Sequence, residues 1–155
     1  MGRMYTIPLA PTAITVAADL VEITPADDIP VLIHGFRVWQ TTDVGDAQEE
    51  IITLSWVRGH TTSGSGGSAA TPVLKNHRDT AAGMTAEVGN TTAASAGTTT
   101  TPYATGWNVR SPLEVVFTPE QRIRADQGNT TIVLRMGAAP ADSLTIGCSV
   151  DVEEL

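Results

Sequence analysis

The last strand-like segment of the chain constrains the fold most. From residue 144 to residue 152, apolar and small or polar side chains alternate without a break, and the apolar set is Leu144, Ile146, Cys148, Val150 and Val152. A period of two is typical of a β-strand with one buried face. The pattern therefore predicts a strand here. It places the thiol of Cys148 on the buried face, where a packed cysteine is expected rather than a reactive one.

Similar alternation recurs along the chain and predicts an all-β protein with little helix. The run from Val31 to Gln40 is apolar on both sides, which predicts a central strand covered on both faces. Capping-box patterns at Asp46–Glu49 and Thr118–Gln121 each favour one helical turn at most. The other predicted strands are centred on residues 4–8, 14–18, 52–57, 84–88, 99–103, 113–117 and 131–136. Eight or nine strands without intervening helices predict a single-domain antiparallel β-sandwich or jelly roll, with helix below about 10% of residues.

Length and charge limit the number of domains in the chain and the classes of partner that it can bind. A chain of 155 residues fits one domain. We expect the sandwich to span residues 13–155 and residues 1–12 to form an N-terminal arm or edge strand. The formal net charge is -8, and nine Lys and Arg residues are scattered, so we expect no nucleic acid as a direct partner. The start lacks the apolar segment of a signal peptide, and no apolar run approaches about 18 residues, so no membrane partner is expected.

Two segments rich in Gly, Ser and Thr interrupt the strand pattern, at residues 59–70 and 89–101. In isolation such composition behaves as a flexible linker. The segments either lie on their own domain or become ordered where neighbouring subunits hold them. We predict that neighbouring subunits order residues 59–70 and the N-terminal arm.

No catalytic or cofactor site is predicted. His34 shares a strand face with Leu32, Phe36 and Val38, which predicts a hydrogen-bonded core histidine. His60 and His77 stand alone in loops, and no His-x-His pair is present, so a zinc or iron site is not expected. Neighbouring carboxylates diverge on a strand, which argues against the facing pair that glycosidases need. A cluster of carboxylates from Asp43 to Glu50 leaves two alternatives open, a solvated acidic loop and a calcium site.

The remaining candidates are aromatic residues that could contact a partner. Trp39 points away from Phe36 on its strand, and Tyr103 and Trp107 lie close together in sequence. Aromatic side chains of this kind anchor protein contacts or stack on sugars, and they also pack at the end of a sandwich core. We take Trp39, Tyr103 and Trp107 as possible partner-contact residues.

Three stretches taken together resemble a family of small β-rich structural proteins of tailed bacteriophages. They are Asp43–Glu50 followed by Trp56–Gly67, Ala81–Thr92 with Trp107–Arg110, and Pro119–Arg122 leading to Ala139–Leu144. The resemblance implies a virion component on the capsid exterior, first of all a decoration (cement) protein. Its partner would be the major capsid protein, and the chain would be a homo-oligomer, a dimer or trimer. A tail or head-fibre module that binds host-surface glycans is the alternative, and no site residue is carried over from the family.

Overall fold

The computed structural model describes residues 2–42, 50–126 and 130–155. Within these ranges the chain forms twelve β-strands and a single three-residue 3-10 turn at Pro119–Gln121. No helix in these ranges is long and apolar enough to cross a membrane. The strands are β1 (Arg3–Ile14), β2 (Asp19–Thr24), β3 (Val31–Gln40), β4 (Ile51–His60), β5 (Ser68–Ala70), β6 (Val73–Leu74), β7 (Thr85–Val88), β8 (Thr100–Asn108), β9 (Leu113–Val116), β10 (Ile123–Ala125), β11 (Thr131–Met136) and β12 (Leu144–Glu154).

The strands form two antiparallel sheets of six strands that pack face to face as a β-sandwich, as the sequence predicted. Sheet A has the order β10-β3-β12-β1-β6, and β9 pairs with β3 on the same side as β10. Sheet B has the order β5-β7-β2-β11-β4-β8. The short strands β5, β6 and β7 can be set aside, and β9 and β10 can be counted as one interrupted strand. The eight strands that remain alternate between the sheets, except that β4 and β8 follow one another as neighbours in sheet B. This is the strand order of a jelly roll.

The core lies between the sheets, and β12 contributes the inward residues that its period-two pattern predicted. Ile146, Cys148, Val150 and Val152 are all 0% exposed. Cys148 pairs with Val38 on one side and is buried as expected. Burial raises the pKa of its thiol to about 12, because the thiolate would lie in an apolar core.

The N-terminal segment belongs to the sandwich. Of the two alternatives predicted for residues 1–12, an arm or an edge strand, the described residues form the strand. β1 pairs with β12 from Arg3 to Ile14, and Tyr5, Ile7 and Leu9 are buried in the core. Its other flank pairs with β6 over only two residues, so most of this flank is free of strand partners among the described residues. The strand predicted at residues 14–18 is also displaced. β2 begins at Asp19, and Val16 is exposed in the connection.

His34 is hydrogen-bonded, to Glu153, as predicted, but its predicted place in the core is wrong because β3 contains a β-bulge. Gly35 pairs with Asp151 and Ile33 with Val152, so His34 is the extra residue between two register positions of β12. After the bulge, the side chains of Phe36 and Val38 face the core. Before it, the side chains that face the core are those of Val31 and Ile33. The His34 ring instead lies on the outer face of sheet A, where Arg37 is exposed. β3 is therefore central in the sheet but covered on one face only.

Residues 61–99, between β4 and β8, form an insertion that extends both sheets at one side of the sandwich. β5 and β7 add to sheet B beyond β2, and β6 adds to sheet A beyond β1. The two Gly/Ser/Thr-rich segments meet within this insertion, where Thr62 bridges Ser95 and Ser65 bridges Thr92. They lie on their own domain, so the prediction that neighbouring subunits order the first segment is wrong.

Candidate functional site

The three aromatic candidates have different environments and do not form one surface. Trp107 is 1% exposed, and its indole Nε1–H donates a hydrogen bond to the carbonyl oxygen of Ser111 at 2.8 Å. It is a core residue, so its prediction as a partner contact is wrong. Trp39 is half-buried on the outer face of sheet A, and its ring lies across Gly147, where a Cβ atom would come within 2.5 Å of the indole.

Tyr103 remains as a candidate because it lines a groove at one edge of the sandwich. Its ring contacts Phe117 edge to face, with ring centroids 5.0 Å apart, and it also contacts Phe36. Pro102 and Gln121 complete the groove, whose cavity volume is about 230 Å³. Half-exposed aromatic rings in an apolar groove are typical of protein contact sites.

We call the edge that carries this groove the open side; it consists of the β8 edge, the groove and the flanking side chain of Ile51. Ile51 lies beside β8 and is 74% exposed. It is the most exposed large apolar side chain in the described ranges. No charged residue occurs from residue 98 to residue 109, although the chain as a whole carries a net charge of -8. The open side is therefore apolar and neutral on an acidic protein.

The outer face of sheet A is different, because a row of ion pairs crosses it. Arg37 lies between Glu114 on β9, at 2.7 Å, and Asp151 on β12, at 3.2 Å. Asp151 also accepts from Lys75 at 2.7 Å and from the hydroxyl of Thr6 at 2.8 Å. Because these charges are already paired across four strands, the row stabilises the sheet and leaves little unpaired charge for a ligand.

The Asp151 carboxyl gives this row a pH dependence. Burial raises the pKa of the carboxyl, but the hydrogen bonds from Lys75, Thr6 and Arg37 outweigh it, and the pKa lies below its usual value. A lowered pKa means that the folded state favours the carboxylate. Its stabilisation is thus present above the unfolded pKa, about 3.9, and is lost as the pH falls through the folded value.

Asp151→Asn is therefore expected to lower the free energy of unfolding at pH 7 by about 0.5–1 kcal/mol. The difference from the wild type should vanish as the pH falls towards 2, because the wild-type carboxyl is then protonated. Urea unfolding between pH 7 and pH 2 measures this. Asp142→Asn, at an exposed position, is the control. A difference for Asp151→Asn that stays constant with pH would contradict the prediction.

The outer face of sheet B is covered by the insertion, and two buried carboxylates hold it there. Asp19 accepts hydrogen bonds from the Arg135 guanidinium at 2.7 and 3.0 Å and from the backbone N–H of Ala94 at 2.7 Å. Its side chain is 0% exposed, and Arg135 also donates to the carbonyl oxygen of Ala94 at 2.8 Å. Beside this pair, Ala94 packs on Val57 and Val133, which point away from the main core.

Glu22 anchors the other strand of the insertion. Its carboxylate accepts from the Ser63 hydroxyl at 2.7 Å, from the Gly64 backbone N–H at 2.9 Å and from the Asn90 side-chain amide at 3.0 Å. Glu22 is only 2% exposed. The sequence analysis did not single out Asp19 or Glu22. Two features of the sequence could have indicated their role. The run Asp19–Ile23 is apolar except for these two carboxylates, and the glycine-rich segments that follow have backbone N–H groups that need acceptors.

The histidines and carboxylates do not converge on a reaction centre in the part of the chain that the structure describes. His34 Nε2 lies 2.7 Å from Glu153, His60 is buried at the end of β4, and His77 is exposed in the insertion. Over residues 2–42, 50–126 and 130–155, no group of three or more His, Cys, Asp or Glu side chains could hold a metal ion. The calcium alternative lies outside the described residues except for Glu50, whose carboxylate accepts from the Ala141 N–H at 2.7 Å.

Comparison of the chain with family models, with curated proteins and with solved structures finds no match. The surfaces of the molecule itself therefore indicate what it can bind. Of these, the charged face of sheet A is internally paired, and the outer face of sheet B is largely covered by the insertion. The open side is the surface with both exposed apolar side chains and a free strand edge, and it is suited to binding another protein chain.

Proposed function

We propose that the protein is a structural component of a bacteriophage virion, and specifically a decoration protein that binds the outside of the capsid shell and stabilises it. The observation that carries an assembly role is the open side. An uncharged strand edge with an apolar groove and an exposed Ile51 is costly on a solitary acidic protein. Such a surface is expected where another chain covers it.

The rigidity of the domain supports the same role. The insertion has a linker-like composition, yet Asp19 and Glu22 hold it against sheet B by accepting four hydrogen bonds from its residues. A body that is ordered before it binds loses less conformational entropy on binding. Many weak contacts of such bodies across neighbouring capsomers add stability that exists only in the intact shell.

The net charge supports an exterior position. At -8 the chain would be repelled by packaged DNA, and the acidic surface is compatible with the outside of the shell. The fibre alternative, with stacking on a host glycan, has weaker support. It would use Tyr103 and Trp107 as a pair, and Trp107 is 1% exposed inside the core.

Particles prepared with and without this protein test the proposal. We expect hundreds of copies per purified particle by quantitative mass spectrometry, and DNA release at a lower temperature when the protein is missing, with shell geometry unchanged. Adding the purified protein back to depleted particles should restore the release temperature. Equal release temperatures, or a handful of copies confined to the tail, would overturn the decoration role.

A further inference from the structure

The free edge of β8 differs from the other strand edges of the sandwich. β8 is nine residues long and ends sheet B, with no strand on its far side among the described residues. The opposite edge of sheet B is β5, with three residues. In sheet A, β6 covers two residues of β1, and the rest of that flank has a bulge after Leu9 and faces the insertion across a groove. The remaining edge, β9 and β10, carries the charged residues Glu114 and Arg124. Short length, charge, proline and β-bulges are the usual protections against edge-to-edge pairing. β8 is long and uncharged, and its Pro102 and its bulge opposite Val57 lie before Tyr103, so the strand is regular from Tyr103 to Asn108.

We propose that two copies of the chain bind each other through β8, antiparallel and related by a two-fold axis near Ala104, the middle residue of the strand. This inference rests on the proposed assembly role, and it identifies a second copy of the chain as the partner that covers the open side. The two B sheets would then join into one continuous sheet across the dimer. A two-fold contact needs only one self-complementary strand, so the unpaired backbone groups of one edge meet their counterparts on the other, except that Pro102, opposite Gly106, has no N–H to donate.

Charge favours a second copy at this position over contacts elsewhere on the surface. Two molecules that each carry a net charge of -8 repel one another, and the repulsion is smallest where charged side chains are missing. Residues 98–109 contain none, although Arg58 of β4 donates to Thr100 at the start of β8. At about 3.3 Å per residue, the part of β8 that follows Thr100 gives an uncharged contact line of roughly 26 Å.

The side chains of β8 also allow a close approach on both faces of the joined sheet. Ala104 and Gly106 lie on the outer face and are small and exposed, and Ile51 packs beside Gly106. On the inner face, Tyr103 of one copy would lie opposite Thr105 of the other, next to the groove that ends at Phe117. Pairing would thus bury the exposed Ile51 and the half-exposed Tyr103 ring of both copies, which a single copy leaves in water.

Sedimentation analysis of the purified protein over a concentration series tests this. We expect the wild type to approach twice its 16.2 kDa mass. Ala104→Lys should weaken the dimer at least tenfold, because it places two ammonium groups opposite each other across the axis, about 5 Å apart at Cβ. Thr85→Lys is the matched control. It makes the same charge change at an exposed site of the same sheet, on β7, and should leave the dimer intact.

A cross-link tests the geometry directly. The native Cys148 is 0% exposed, so an introduced Ala104→Cys is the reactive thiol, and paired strands bring the two copies within disulfide range. We expect rapid oxidation to a covalent dimer for Ala104→Cys and not for Thr85→Cys. A wild type that stays monomeric or forms trimers, a dimer insensitive to Ala104→Lys, or equal cross-linking at both positions would overturn the proposal. Both experiments use the purified chain and test the dimer alone. The decoration role is tested separately, with particles that contain or lack the protein.

Discussion

Removal of residues 2–12 is expected to abolish cooperative folding, although this segment was predicted from sequence as an arm or edge strand. Tyr5, Ile7 and Leu9 are between 0% and 3% exposed, and β1 pairs with β12 along its length. Burial of three such side chains contributes roughly 5–9 kcal/mol, at about 1.5–3 kcal/mol each. That is comparable to the whole stability of a typical domain, about 5–15 kcal/mol. Truncation would also expose the hydrogen-bonding edge of β12.

Circular dichroism and urea unfolding of the truncated chain measure this, and the expected result is loss of a cooperative transition. A point substitution gives the same test in a milder form. Ile7→Ala should lower the free energy of unfolding by about 2–5 kcal/mol because it leaves a cavity in the core. Ala10→Ser, at an exposed position of the same strand, should change it by less than about 0.5 kcal/mol. A truncated protein that unfolds cooperatively with near-wild-type stability would show that β1 is dispensable.

Asp19→Ala is expected to lower the free energy of unfolding by about 2–4 kcal/mol and to loosen the insertion. The substitution leaves the Arg135 guanidinium and the Ala94 N–H without their buried acceptor. Breaking a fully buried pair costs about 3–5 kcal/mol, and the value here is reduced because the Arg135 side chain is 24% exposed. Urea unfolding gives the stability, and hydrogen exchange at residues 61–67 and 90–98 reports the release of the insertion.

Arg37→Ala is the matched comparison, because it removes one partner of ion pairs on the exposed face of sheet A. With a side chain 44% exposed, it should cost no more than about 1 kcal/mol and leave exchange in the insertion unchanged. In the wild type, we expect slow exchange at the backbone N–H groups of Gly64 and Ala94 in the isolated protein. Fast exchange there would show that the buried carboxylates do not hold the insertion.

The strands that the sequence predicted well are those whose pattern is local. β12, β11, β4 and β9 alternate over at least four residues, and each alternation places one set of side chains in the core. The count of eight or nine strands was too low because β5, β6 and β10 have only two or three residues each. Segments of that length have no period to detect, and they are strands only because a neighbouring strand pairs with them.

The candidate site was less accessible to sequence reasoning. Tyr103 was identified. For Trp107 the sequence left a partner contact and core packing open, and the ring fills the core. Proximity in sequence does not tell how far each side chain of β8 lies from the end of the sandwich. The neutral stretch at residues 98–109 is visible in the sequence. Its position on a free edge is not, because strand order follows from pairings between distant segments.

The all-β class, the packed thiol of Cys148 and the neutral stretch around β8 follow from the order of amino acids, because alternation and charge are properties of neighbouring residues. The bulge that turns His34 outward and the burial of Asp19 and Glu22 required the folded chain. In each case the environment of a side chain is set by a partner far away in sequence: Asp151 and Val152 for the β3 register, and residues 63–94 for the two carboxylates. A linker-like composition became an ordered layer for the same reason, since its backbone groups found acceptors that only the assembled sheet presents.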